Sequence, residues 1–222
     1  MQGQVNALAV EAAPFDTLVA RLDYEGSSTH PYRLRLLDGR APDSSRDLAD
    51  AIHLICLLHG RHPGVLDYAT WRAPDDATRE RLELLAGWFD RERLLLTRLV
   101  VAVGPIPGTP AQAATDSAVL GQRHALTTLA KSERPGCALG ACLALVTDWN
   151  AIRPVLDLVA ERWLVPRGEH LPVHGECERL VTPLMATTAV RALTFGADQL
   201  VAQHRGLWDL LAARAAARAA LP

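Results

Sequence analysis

His59, Glu92, Gln122 and His204 each stand where an amphipathic helix normally carries Leu or Val. The flanking apolar residues recur at spacings of three and four: Leu48, Ile52 and Ile55 lead to His59, and Leu85, Phe89, Leu96 and Leu99 bracket Glu92. Val119, Leu126 and Leu129 bracket Gln122, and Leu193, Ala197, Leu200, Leu207 and Leu211 bracket His204. Residues so spaced share one helical face. A polar group on an apolar face must find a partner inside the protein or cost stability. Four helices packing their stripes into one core would gather these groups into a buried polar cluster. His124, two positions from Gln122, is its outlying member. Two imidazoles and a carboxylate with open positions also form the ligand set of a non-haem iron site. His59, Glu92 and His204 are therefore the candidate metal ligands, with iron as the candidate cofactor and Gln122 and His124 behind them. The plainer reading needs no cofactor: buried Glu and His pair with each other, a carbonyl or water and only support the fold.

Glu92 has no charged neighbour on its own face, where Trp88, Phe89, Leu95 and Leu96 lie, and Arg91 and Arg93 point to other sides. Its partner must come from another helix. Other constellations have bland explanations. In His59-Gly60-Arg61-His62-Pro63-Gly64, the Gly and Pro residues break a helix, and the alternative is a turn that presents His62 to a pocket. Asp148 and Arg153 read as a helix N-cap with a nearby salt bridge. Ser27, Ser28 and Thr29 precede His30, but the nucleophile elbow G-x-S-x-G is missing. Asp50 and His53 give a single D-x-x-H, read as an exposed charge pair, where a ferritin-like di-iron site needs two E-x-x-H pairs. Phosphate-binding loops, dinucleotide fingerprints and H-E-x-x-H are also missing from the sequence. Trp208, beside the last stripe, reads as core.

The elements that must hold these residues are helices. Strict two-residue alternation is almost absent and aromatics are only 5%, which points to an all-α domain. Helices are expected over 15–24, 45–59, 65–71, 77–103, 110–131, 137–147, 151–164 and much of 176–221, with a short element around 32–37. Pro154 would then sit in a first turn, where proline is tolerated. Thr109, Pro110 and Gln112 form a capping signal. The 222 residues, 49% of them hydrophobic, suit one domain spanning 1–222. The first ~14 residues and the alanine-rich tail are expected to fray.

A net charge of -2 and a pI near 6.4 argue against nucleic-acid binding by phosphate neutralisation. The apolar run 94–103 is interrupted by Thr97 and Arg98 and is too short to cross a bilayer. Cys56, Cys137, Cys142 and Cys177 show no C-x-x-C spacing and read as reduced thiols. The amino-terminal stretch lacks a secretion signal, so a cytoplasmic setting is expected.

The phrases DLADAIHLICLLHGRHPGVLDYA (47–69), VAVGPIPGTPAQA (101–113) and FGADQLVAQHRGLWDLL (195–211) resemble an uncharacterised all-helical bacterial family of unknown function. That resemblance implies a single bacterial helical domain and assigns no catalytic residue. At fold level, an irregular bundle of about seven to nine helices is also similar to haem-oxygenase-like proteins, an analogy only. The expectation is a soluble bundle that binds a small ligand or is structural, with a buried polar network. The alternative is a metal-dependent oxidoreductase using His59, Glu92 and His204. A third reading has Arg214 and Arg218 on the last helix meeting a partner or a second copy in a homodimer.

Overall fold

The computed structural model describes residues 14–39, 44–105, 112–134, 136–169, 179 and 190–220. They form eight α-helices and one short 3₁₀ turn, with no strand among the described residues. The helices are α1 (Pro14–Glu25), α2 (Pro31–Asp38), α3 (Ser44–His59), α4 (Val65–Trp71), α5 (Asp76–Val103), α6 (Gln112–Ala130), α7 (Cys137–Arg162) and α8 (Val190–Ala219), with the 3₁₀ turn at Ser27–Thr29. Local chemistry explains several boundaries. Asp75 caps α5 by accepting from the Thr78 amide at 2.7 Å. His30 Nδ1 accepts from the Tyr32 amide to start α2, and Gly39, at φ 65°, closes it in the left-handed conformation. Asp67 Oδ2 accepts from the Gly64 amide at 2.6 Å and so fixes the first turn of α4.

Helix α7 is central among the described residues and touches each of the other described helices. From Cys137 to Val146 each residue is buried, and Trp149, Ile152, Val155, Leu156, Val159 and Ala160 continue the core. A helix apolar on all sides belongs in an interior. The expected break at 148–150 does not occur, and Pro154 lies inside the helix. Arg33 Nε donates to the Ala151 carbonyl at 2.5 Å, next to the Asn150 carbonyl whose helical N–H partner Pro154 cannot supply. Asp148 is consequently a mid-helix residue and not an N-cap.

Helices α7 and α8 pack closely because glycine allows it. A Cβ on Gly140 would strike the Leu193 carbonyl, and one on Gly196 would strike the Cys137 carbonyl. The two helices run in the same direction from this contact, and eight residues further along each of them Asp148 meets His204. Helix α3 runs the other way, with Asp50 against Arg214 and His59 against His204.

The expected cap at Thr109 and Pro110 lies outside the described residues, as do Cys177, His170, His174 and Pro183. Gln112 Nε2 donates to Asp116 at 2.7 Å. Cys56 and Cys137 are free thiols. No helix among the described residues is long and apolar enough to cross a membrane.

Candidate functional site

Buried polar side chains from the 3₁₀ turn, α7, α8 and α3 form one continuous chain. Trp208 Nε1 donates to Ser27 Oγ at 2.9 Å, and Ser27 Oγ donates to Asp148 Oδ2 at 2.5 Å. The Ser27 amide donates to Asp148 Oδ1 at 2.7 Å. That approach needs Gly26, because a Cβ there would collide with Asp148 Oδ1. His204 Nδ1 lies 2.6 Å from Asp148 Oδ2, and His204 Nε2 lies 2.9 Å from His59 Nε2. The His59 ring is held edge-on by Trp149 and Phe89, with centroids 5.7 and 6.4 Å away. Ser27 meets Asp148 and makes no bond to either histidine, so its hydroxyl orients the carboxylate and is not a triad nucleophile.

The proton positions follow from this geometry. Burial works to raise the Asp148 carboxyl, but hydrogen bonds from His204 and Ser27, reinforced whenever His204 is protonated, outweigh it and hold it below the usual carboxylate range. An ionised carboxylate only accepts, so His204 Nδ1 carries hydrogen. The two facing Nε2 atoms share one hydrogen between them. Burial pushes His59 well below the ordinary histidine range, and repulsion from a protonated His204 and from Arg93 pushes it further, so it is neutral. The atoms Asp148 Oδ2, His204 and His59 thus define a path along which a proton can pass, with His59 Nδ1 as the remaining ring nitrogen.

Glu92 belongs to a second network. Its Oε2 accepts from Trp149 Nε1 at 3.0 Å, and its Oε1 pairs with Arg153 Nη1. Arg153 also donates to the carbonyls of Arg167 and Glu169 and pairs with Asp157 at 3.0 Å. As expected, the partner of Glu92 comes from another helix. The charge is satisfied inside the core and does not reach the histidines as a ligand. His59 and His204 face each other, not a common point, and Glu92 is bound to a guanidinium. These donors do not fit a shared iron ion, and no group of three His, Cys, Asp or Glu among the described residues could hold a metal ion. Gln122 is half-buried and donates to the Gln203 carbonyl at 3.1 Å, outside both networks. His124 is exposed and forms no part of a buried cluster; two positions from the stripe, the helix turns it to solvent.

The turn after α3 carries more than a helix stop. Arg93 is buried beneath it, pairing with Asp67 at 2.9 Å and Asp90 at 2.7 Å and donating to His62 at 2.9 Å. Its Nε donates to the His59 carbonyl at 3.3 Å. Gly64 makes room for this guanidinium, since a Cβ there would lie 2.5 Å from Arg93 Nη2. Asp67 is held below the usual carboxylate range: burial would raise it, and the Gly64 amide and Arg93 prevail. Above these groups is a cavity of about 280 Å³. His59 forms part of its wall, along with Arg61, His62, Arg93 and Arg123 as its basic residues. Leu58, Phe89 and Leu126 contribute apolar surface. A cavity with apolar walls and a few convergent polar groups is the usual form of a small-molecule site.

Three further sequence expectations change. Ser27, passed over for want of a nucleophile motif, is buried and shapes the site. Asp50 and His53 are not an exposed pair: Asp50 is buried against Arg214 and Arg218, and His53 Nε2 meets the Gly104 carbonyl at 2.8 Å. Arg218 also pairs with Asp47. Arg214 and Arg218 therefore fasten the tail to α3 of the same chain, and α8 stays helical to Ala219. Trp208 packs in the core as expected.

Fold and site together define an all-helical protein in which an Asp–His–His chain reaches the wall of a basic cavity. The chain belongs to a family of unknown function, DUF6975, whose model matches residues 22–219 and so covers Ser27, His59, Asp148 and His204. No curated protein and no solved structure matches it, so the haem-oxygenase-like analogy carries no argument.

Proposed function

We propose that the protein binds a small anionic molecule in the cavity over the α3–α4 turn, and that the buried networks hold the cavity wall in place. One observation carries this reading. Arg123 lines the cavity, and its Nη1 is buried without a hydrogen-bond partner. A buried guanidinium donor without an acceptor costs free energy, which a carboxylate, sulfate or phosphate in the cavity would recover once the Arg123 side chain turns Nη1 toward it. Arg93 is already neutralised by Asp67 and Asp90, whereas Arg61 and Arg123 pair with no carboxylate among the described residues. The overall charge of -2 suits a small ligand better than nucleic acid. The free thiols support a reducing, cytoplasmic setting.

Calorimetric titration with sulfate, phosphate and citrate tests the reading. At least one should bind, and Arg123→Gln should weaken it by about 10-fold to 100-fold, the loss of one charge-assisted bond. Failure of all three, or an unchanged affinity in Arg123→Gln, overturns it. A purely structural role is the second reading, favoured by the full pairing of Glu92 with Arg153 and Trp149.

A further inference from the structure

We propose that the cavity takes up its anion together with one proton, which enters at His59 and is stored on His204 against Asp148. This rests on the anion reading above and adds what the buried chain does for it. The chain is continuous from the cavity wall to a carboxylate in the core, through contacts of 2.9 and 2.6 Å. Its inner end is anchored by the amide and hydroxyl of Ser27. Nothing in a purely supporting role requires one end of such a chain to line a cavity.

The proton balance is simple. In the empty site Asp148 accepts from His204 Nδ1–H, His204 Nε2 accepts from His59 Nε2–H, and His59 Nδ1 has a lone pair. A proton arriving at His59 Nδ1 forms a new N–H bond there. The hydrogen on His59 Nε2 passes to His204 Nε2, whose ring becomes imidazolium beside the Asp148 carboxylate. The net change is one proton gained and no other bond altered, and release reverses each step.

The charges around His59 explain why an anion would drive this. From α8 it faces His204, and behind that lies Asp148 of α7. From α5 it faces Arg93 and, across Trp149, Glu92. The α3–α4 turn and α4 bring Arg61, His62 and Asp67, and α6 brings Arg123. Glu92 is matched by Arg153, and Arg93 by Asp67 and Asp90. Arg61 and Arg123 leave the cavity side of His59 positive, which resists a proton. An anion between them removes that resistance. By reciprocity, the proton must then favour the anion.

Sulfate is the probe, because it does not titrate near neutral pH. Its binding to the full chain is measured by calorimetry at pH 6.5 in PIPES and in Bis-Tris, whose ionisation heats differ. The expected result is a buffer-dependent heat corresponding to uptake approaching one proton per sulfate. Affinity should then rise up to about tenfold for each pH unit lowered within the linked range. His204→Gln should abolish the buffer dependence. Sulfate binding with identical corrected heats in both buffers overturns the proton coupling and leaves the anion site standing. No binding overturns the anion site and the coupling with it. Should His204→Gln not fold, the ¹⁵N signals of His59 in the wild-type protein decide. Sulfate should convert Nδ1 from a lone-pair to an N–H nitrogen, and unchanged signals overturn the proposal.

Discussion

The Asp148–His204–His59 chain and the Glu92–Arg153 pair occupy the same core and touch the same residue, Trp149, yet they end differently. Glu92 is closed off: Arg153 and Trp149 take its two oxygens, and backbone carbonyls take the rest of the Arg153 guanidinium. Asp148 is closed at one end by Ser27 and open at the other, where two imidazoles lead to a cavity. A guanidinium is permanently charged and fixes its partner, whereas an imidazole can change charge near neutral pH. The pair is suited to holding helices in place and the chain to moving a proton. Burial alone does not distinguish a structural polar group from a functional one. What distinguishes them is the chemistry of the partner and whether the network reaches a space a ligand can enter.

The sharpest way to break this comparison is to delete the inner carboxylate. Asp148→Ala leaves Ser27 and His204 without their acceptor, and we expect a loss of about 3–5 kcal/mol in urea unfolding. A loss below about 1 kcal/mol would show that the chain is not anchored as described. Glu92→Leu strands the Arg153 charge and should cost about 3 kcal/mol. The double variant Glu92→Leu/Arg153→Met should recover most of that, because a closed ion pair can be exchanged for apolar packing. No equivalent rescue is expected for Asp148.

The pH dependence of stability sharpens the contrast further. His59 is neutral when folded and titrates far lower than in the unfolded chain, which takes up a proton as pH falls through about 6.5. Its contribution is therefore complete above that pH and shrinks as pH drops toward the folded value. Asp148 and Asp67 behave in the same sense at lower pH, contributing above the unfolded carboxylate range near 4 and losing it below. Unfolding free energy measured from pH 8 to 5 should decline below about pH 6.5 by a linkage of up to one proton, and His59→Gln should flatten that slope. The smallest effect belongs to His124→Ala. An exposed residue should shift stability by no more than about 0.5 kcal/mol and leave sulfate affinity unchanged.

Much of the scaffold was legible because periodicity reports directly on burial. The stripes of α3, α5 and α8 placed His59, Glu92 and His204 in the interior, where all three are found. The same logic misled at α7. A helix buried along most of its length has no clear polar face, so residues 148–150 were read as a break between two helices. That reading hid Asp148 and assigned it to a cap. Ser27 gave no signal of its own, since one hydroxyl in a short turn has no period. Arg93 was read correctly as turned away from Glu92, but sequence spacing does not say that the other side of α5 is covered by the α3–α4 turn.

Local rules, acting within about two turns of helix, were enough to set most of the helical segments and to turn His59, Glu92 and His204 inward. Their pairing was decided elsewhere. Gly140 and Gly196 let α7 and α8 approach, and that contact brings Asp148 to His204 across 56 positions of chain. The antiparallel return of α3 then sets His59 beside His204 over 145 positions. Hydrophobic spacing encodes an inward direction for each helix separately and contains no information about which inward groups will meet. The three-dimensional packing of the helices made a proton path of the histidines and an ion pair of the glutamate.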